Sequence, residues 1–269
     1  MKPLDTTAEA HQVQLDILRR LGPQGRLQKA LELTELSREL LAQGVRQRHP
    51  EYSEEEVRLA VIRLQLPEGL FSKVSPHIPH TQTMTPEQTL KIVIEYLEAA
   101  GVDYMITGSF ASNFHGVPRT TQDADVVIEV SEESLEQLLT LIEDEFYVSD
   151  EAAREALRTR DMFNIIHFET AFKVDLIIRK QRAYAEEEFK RRQSVEFLGK
   201  ECWFASPEDT ILAKLEWSKR GQSERQYSDA LGVAQVQSDD LDWDYLQKWA
   251  ERLDVGELYQ RLVREVRQK

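Results

Sequence analysis

Asp123 and Asp125 stand two positions apart at the head of an apolar run, Val126-Val127-Ile128, in the stretch "ITGSFASNFHGVPRTTQDADVVIEV". Side chains alternate across a strand, so both carboxylates point to one face while Ala124 and Val126 point to the other. The apolar run marks a strand central to its sheet, where neighbouring carboxylates cost free energy unless a cation neutralises them. A hard divalent ion, Mg²⁺ or Mn²⁺, suits such oxygen donors and can hold phosphate at the same time. Upstream, Gly108-Ser109 ends the apolar strand "DYMIT" and opens the helical turn "SFASNFHG". A glycine there lets a phosphate approach the backbone, and a helix N-terminus presents free N–H groups and a Ser hydroxyl.

A third acid, Asp175, interrupts the apolar strand "AFKVDLIIR", with Lys173 on the same face. A neighbouring strand could bring it beside the pair. Three carboxylates at a strand mouth can hold two metals roughly 4 Å apart, one activating an attacking oxygen and one clamping a triphosphate and its leaving group. Arg119, just ahead of the acids, could touch a phosphate or pair with Asp123 or Asp125 and keep the empty site neutral. His115 and His167 read as turn and strand residues. Trp203, Trp217, Trp243 and Trp249 read as core or half-buried anchors, with Trp217 also placed to stack a base.

The elements around these residues fall into three groups. "HQVQLDILRRL" and "RLQKALELTELSRELLAQGV" carry helical apolar spacing, the second ending at a cap at Gly44; "YSEEEVRLAVIRLQL" has Ser53 as N-cap and Glu56 three places on, a reciprocal capping pattern. "SKVSPHIPHTQTMTP" is rich in Pro, Ser and Thr and reads as a linker, with His77 and His80 as linker residues rather than metal ligands. From Thr85, which caps a helix with Pro86 first and Gln88 third, helices and strands alternate: helices at "SEESLEQLLTLIEDEF" and "EAAREALRTR", strands at "FNIIHFE", "AFKVDLIIR", "SVEFL" and "ECWFA". Four helices close the chain. The expected fold is α+β: a small mixed β-sheet core with helices, plus N-terminal and C-terminal helical segments. The expected divisions are an N-terminal helical segment at 1–71, a linker at 72–85, a core at 86–205 and a C-terminal helical subdomain at 206–269.

The 269 residues, 41% hydrophobic, can bury a core without disulfides, and the single cysteine, Cys202, forms none within the chain. No apolar run approaches the roughly 20 residues of a membrane span, and the start "MKPLDTTAEAHQ" has no secretory apolar stretch, so a cytoplasmic protein with no membrane partner is expected. Through residue 80, 11 Lys+Arg meet 11 Asp+Glu, so the whole net charge of −14 falls in the remainder. Such a surface repels a phosphate backbone except at a local basic patch, but admits a nucleotide carried with a divalent cation.

The Gly-Ser, spacer, Asp-x-Asp pattern resembles that of the Mg²⁺-dependent nucleotidyltransferases of the DNA polymerase β type. "GSFASNFHGVPRTTQDADVVI" is most similar to the bacterial minimal group that includes the AbiEii-type abortive-infection toxins. Lys173-Val174-Asp175 matches the group's Lys-x-Asp strand, and "SPEDTILAKLEWSKRGQSERQYSDAL" matches its late Lys helix and Asp helix through Lys214 and Asp229. The likeness spans roughly Thr85 to Gly232 and leaves out the N-terminal helices. It implies an NTP-dependent, Mg²⁺- or Mn²⁺-dependent nucleotidyltransferase moving a nucleoside monophosphate to an acceptor RNA or protein. Asp123, Asp125 and Asp175 would be catalytic metal ligands, Gly108, Ser109, Arg119, Lys173 and Lys214 would hold the nucleotide, and Asp229 would orient Lys214 or a base. One departure stands out: where the toxins carry a basic-acidic pair before the last Asp, this chain has Arg225-Gln226. The competing readings are a catalytically silent nucleotide-sensing or partner-binding module of a toxin–antitoxin-like system, and a protein-partner surface on the N-terminal helices. If Asp229 is not a site residue, it forms an ordinary i,i+4 pair with Arg225.

Overall fold

Apolar residues at helical spacing through the first fifty positions produce one long helix, α1 (Ala8–Arg48), broken internally at Gly22, whose φ of +73° and the following Pro23 interrupt the hydrogen-bond ladder. The two expected N-terminal helices therefore join end to end, and the second runs past Gly44 to Arg48. In a computed structural model that describes residues 6–80 and 84–267, the remaining elements follow as α2 (Glu54–Gln65), α3 (Glu68–Val74), a 3₁₀ turn (Ser75–His77), α4 (Pro86–Ala99), β1 (Asp103–Ile106), α5 (Gly108–His115), β2 (Asp123–Glu129), α6 (Glu132–Ile142), β3 (Phe146–Val148), α7 (Asp150–Thr159), β4 (Met162–His167) and β5 (Lys173–Ile178). Then come α8 (Ala183–Lys190), β6 (Gln193–Phe197), β7 (Lys200–Phe204), α9 (Pro207–Gly221), α10 (Glu224–Val236), α11 (Trp243–Arg252) and α12 (Gly256–Arg267). Both expected capping boxes form, Ser53 with Glu56 and Thr85 with Gln88, each satisfying two backbone N–H groups that a helix start leaves free.

The architecture is α+β, with one mixed sheet in the order β3-β4-β5-β2-β1-β7-β6. β2 lies between β1, antiparallel, and β5, parallel, which makes it a central strand. Ala124, Val126 and Ile128 are fully buried and alternate with partly exposed Asp123, Asp125 and Val127, the period-two pattern of a strand with one face in the core. That core joins the sheet to Leu90, Ile94 and Leu97 of α4, Leu135 and Leu138 of α6, Phe110 and Phe114 of α5, and Leu27 of α1. A second cluster holds α9 to α12 together through Ile211, Leu215, Leu231, Leu246 and Leu262. No helix among the described residues is long and apolar enough to cross a membrane.

Two local readings of the sequence are corrected, and one helix is added. The proposed linker 72–85 begins as the end of α3 and the 3₁₀ turn; Val74 is fully buried against Ile166 and Ala171, and His77 packs on Phe168 at 4.8 Å. Its residues 81–83 lie outside the described residues. The helix expected through "SEESLEQLLTLIEDEF" stops at Ile142, and Phe146, 2% exposed, begins β3 instead, paired with His167. Burying that aromatic ring on the sheet outweighs continuing a helix through Asp and Glu. Lastly, α8 forms at Ala183–Lys190, a charged stretch with no evident helical period, because Tyr184 and Phe189 are drawn into the two cores.

Candidate active site

Parallel pairing sets β2 and β5 in register so that Asp125 lies opposite Asp175 and Asp123 opposite Lys173. On the far side of β5, Asn164 of β4 is the register partner of Asp175. Directly paired residues share a face, so one patch of sheet carries three carboxylates, one ammonium and one amide. β1 delivers the other wall. Thr107 N donates to Asp125 O at 2.9 Å, the chain turns at Gly108 with φ of +59°, and α5 starts directly above the Asp125 side chain. A β-carbon on Gly108 would lie 1.8 Å from Asp125 Oδ2, so only glycine brings this helix start so close to the acid.

The charges are not balanced among the acids themselves. Burial, then the neighbouring charges of Asp123 and Asp175, push the Asp125 carboxyl up to about 6. Burial likewise raises Asp175, opposed by Lys173, and Asp175 Oδ1 is buried with no hydrogen-bond partner. Lys173 Nζ donates to Asp175 Oδ2 and stands 3.5 Å from Asp123 Oδ2. Burial works against its ammonium, yet the hydrogen bond to Asp175 and the three carboxylate charges hold its pKa above the ordinary lysine value. Among the described residues no three His, Cys, Asp or Glu side chains converge as a ready metal cluster; Lys173 is the cation that the acids share. The donor set is nevertheless all carboxylate oxygen, one oxygen is orphaned and the Asp125 carboxyl is pushed up by burial and then by its acidic neighbours. These are the properties of a site that accepts a hard divalent cation.

A second charged group faces the first across a cavity of about 250 Å³ lined by Gly108, Asp125, Asp175, Lys214, Trp217 and Gln226. Lys214 is 4% exposed; its Nζ lies 3.0 Å from Asp229 Oδ2 and donates to Gln226 Oε1 at 2.8 Å. Burial lowers the Lys214 pKa, with Asp229 acting against it. Arg119 closes the group with a bidentate pair to Asp229, 2.7 and 2.6 Å, and Nη2 donates to Ser109 Oγ at 3.1 Å. Burial raises the Asp229 carboxyl, but the Arg119 hydrogen bonds and the Lys214 charge outweigh it and hold Asp229 below the ordinary carboxylate value.

The pairing of Arg119 differs from the expectation: it reaches Asp229 and Ser109, not Asp123 or Asp125. Asp229 spends its charge on Arg119 and Lys214, two cations delivered from elsewhere in the chain, rather than on an i,i+4 pair. Gln226, where an acid was expected by resemblance, accepts from Lys214 as a neutral amide, leaving Asp229 as the lysine's one carboxylate partner. Trp217 borders the cavity with half of its surface exposed. His115 is buried and lies 2.8 Å from Ala205 O, with its pKa pushed down to about 4 chiefly by burial; His167 contacts Thr89 and Thr170 in the core. Neither enters the cavity.

Several supporting residues gave no motif to read. Asn113, fully buried, holds the Arg119 backbone from both sides: Oδ1 accepts from Arg119 N at 2.9 Å and Nδ2 donates to Arg119 O at 3.0 Å. The signal for it was an amide between the buried Phe110 and Phe114 of a short helix. Gly116 permits α5 to cross α10, since a β-carbon there would meet Val233 N at 2.8 Å.

A family of Rv0078B-related antitoxins matches residues 19–70, the part of the chain that holds most of α1, all of α2 and the start of α3. Similar solved structures include an antigenic nucleotidyltransferase-like protein from Paracoccidioides brasiliensis, 16% identical, covering 66% of this chain and 94% of that one at a TM-score of 0.45. ANT(2″)-Ia, solved with adenylyl-2″-tobramycin, is 12% identical over 68% of this chain and 99% of that one, at 0.42. JHP933 from Helicobacter pylori is 15% identical over 69% and 95%, at 0.35. No curated protein sequence matches. These likenesses are loose, and the chemistry is read from the side chains themselves.

Proposed function

We propose that this protein is a metal-dependent nucleotidyltransferase that moves a nucleoside monophosphate from an NTP to an acceptor hydroxyl and releases pyrophosphate. The observation that carries the reading is the in-register Asp125–Asp175 pair beside Asp123, set against a helix N-terminus that Gly108 alone allows to come so near. Asp123, Asp125 and Asp175 would hold Mg²⁺ or Mn²⁺, which when bound neutralises charge on the phosphates and lowers the pKa of an attacking oxygen.

The chain's own residues do the rest. The backbone N–H groups at the start of α5 and the Ser109 hydroxyl face terminal phosphates. Lys214, paired with Asp229, lies on the far wall of the cavity, and Arg119, bound to the same Asp229 and to Ser109, adds positive charge behind it. Trp217 offers a flat surface to the base. Once Lys173 releases it, Asp175 either ligates the second metal ion or accepts the acceptor's proton as the new oxygen–phosphorus bond forms and the bond to pyrophosphate breaks. Positioning and charge neutralisation supply most of the acceleration in such transfers.

The acceptor is RNA or protein. The test is incubation with each of four labelled NTPs and Mg²⁺, with total RNA or total protein added. Label on either fraction, lost in Asp123→Asn with folding retained, supports transfer; turnover retained in Asp123→Asn sinks it.

A second reading is favoured by the antitoxin match at residues 19–70: a catalytically silent nucleotide-sensing or partner-binding module of a toxin–antitoxin-like system, with the N-terminal helices as the partner surface. Nucleotide binding without label on any acceptor would support it. A cytoplasmic setting belongs to both readings, and the one cysteine, buried and free, is compatible with it.

A further inference from the structure

The acids need more than a strand to aim them. Asp123 is the first residue of β2, so its backbone is fixed on one side by the sheet and on the other only by the loop that precedes it. That loop is tied to α1. Thr34, 8% exposed, donates its hydroxyl to Ala30 O at 2.8 Å and accepts the backbone N–H of Thr121 at 3.1 Å. Thr121, 3% exposed, in turn donates its own hydroxyl to Asp123 O at 2.9 Å. An unbroken chain of three hydrogen bonds thus runs from the backbone of α1 to the backbone of the first carboxylate.

The same helix grips the two helices that form the opposite wall. Arg26, 3% exposed, donates Nε to Phe114 O at 3.1 Å near the end of α5, and Nη1 to Leu18 O at 3.0 Å. Arg19 donates to Gln235 O at 2.6 Å and Val236 O at 3.1 Å at the end of α10. Cationic groups at helix C-termini are favoured by the helix dipole, and among the described residues Arg26 has carbonyls alone as hydrogen-bond partners, so it is committed to this capping task. α1 therefore touches, from behind, the helix of Gly108 and Ser109, the helix of Gln226 and Asp229, and the loop leading to Asp123.

We propose that α1 is a positioning strap for the acidic site, and that Thr34 is a positioning residue that sets Asp123 through Thr121. The proposal rests on the reading of Asp123 as a metal ligand. It also gives the antitoxin-like segment a role within its own chain: the segment sets the geometry of the acids that share its fold.

The test measures Mn²⁺ binding by calorimetry without nucleotide, on the full chain, for wild type, Thr34→Val, Thr34→Ser and Thr121→Val, with near-ultraviolet circular dichroism reporting the fold. Groups that orient a metal ligand change affinity by about 10–100-fold when removed. Thr34→Val and Thr121→Val should weaken Mn²⁺ binding by that factor while keeping the wild-type spectrum, and Thr34→Ser, which retains the hydroxyl, should bind like wild type. If either valine variant folds and binds Mn²⁺ as wild type does, or if Thr34→Ser is as weak as Thr34→Val, the proposal is overturned. Should Thr34→Val fail to fold, Thr121→Val and Thr34→Ser decide by the same criteria. Absence of Mn²⁺ binding by wild type is a different failure: it removes the metal-site reading itself.

Discussion

Gly108 and Asp125 are so closely apposed that a β-carbon on the glycine would sit 1.8 Å from Asp125 Oδ2. The contact joins the two halves of the site: the helix start that faces phosphate and the carboxylate that faces the cation. Gly108→Ala must both displace that acid and hold an L-residue at φ of +59°. We expect it to lower stability by about 2–4 kcal/mol and to abolish divalent binding. Urea unfolding and Mn²⁺ titration check the two effects separately; a variant that binds Mn²⁺ like wild type would show that the contact is incidental.

The raised carboxyl of Asp125 has a sign that can be measured. Its folded carboxyl is raised to about 6, by burial first and by Asp123 and Asp175 next. Between pH 3.8 and 6 the folded metal-free protein keeps a proton that the unfolded chain has released, so stability falls as pH rises through that window. Asp125→Asn removes the penalty: it should be more stable than wild type by about 2–3 kcal/mol at pH 7.5 and equal to it at pH 4. Thermal melts without divalent ions at the two pH values check this, and activity should be lost at both.

The core of this arrangement was legible because its chemistry is local in sequence. Asp123 and Asp125 declare one face of one strand, and an acid at Asp175 within an apolar strand declares another; parallel pairing then places them in register. What could not be read was pairing between distant segments. Arg119 sits beside the aspartates in the chain, yet its guanidinium turns to Asp229, 110 residues on, because Asn113 fixes its backbone and the α5–α10 contact brings the Asp229 helix within reach. Thr34 was equally hidden. It shares the buried stripe of Leu27 and Ala30, so its burial follows from spacing, but its partner Thr121 is fixed by how α1 crosses the core. The missed strand β3 and helix α8 are both short elements ordered by aromatic burial, which local propensity does not register.

The far wall should prove more important to folding than the acids. Asp229 is 7% exposed at its side chain and is shared by Lys214 and Arg119. Asp229→Asn leaves a buried ammonium and a guanidinium without their common carboxylate, a loss of about 3–5 kcal/mol for buried pairs broken on one side. Asp123→Asn, at a half-exposed strand end, should cost little. Parallel urea titrations give the comparison, and equal midpoints for the two variants would contradict it.

Glu188 provides a pH dependence separate from the acidic triad. It lies on α8 at a smaller cavity next to the first, with Glu216 and Trp217 also in the lining. Burial, followed by the charges of Asp209 and Glu216, raises its carboxyl to about 8, and Arg182 offsets only part of this because it is engaged with Glu216 at 2.8 and 2.6 Å. A carboxyl with a raised folded pKa contributes most favourably when protonated, so wild-type stability should decline between about pH 4.5 and pH 8. Glu188→Gln mimics the protonated form. It should match wild type near pH 4.5, exceed it by roughly 4–5 kcal/mol at pH 8.5, and flatten the pH profile between. Denaturant titrations of the two proteins across that range check the slope; parallel profiles would mean that Glu188 is charged in the folded state at neutral pH.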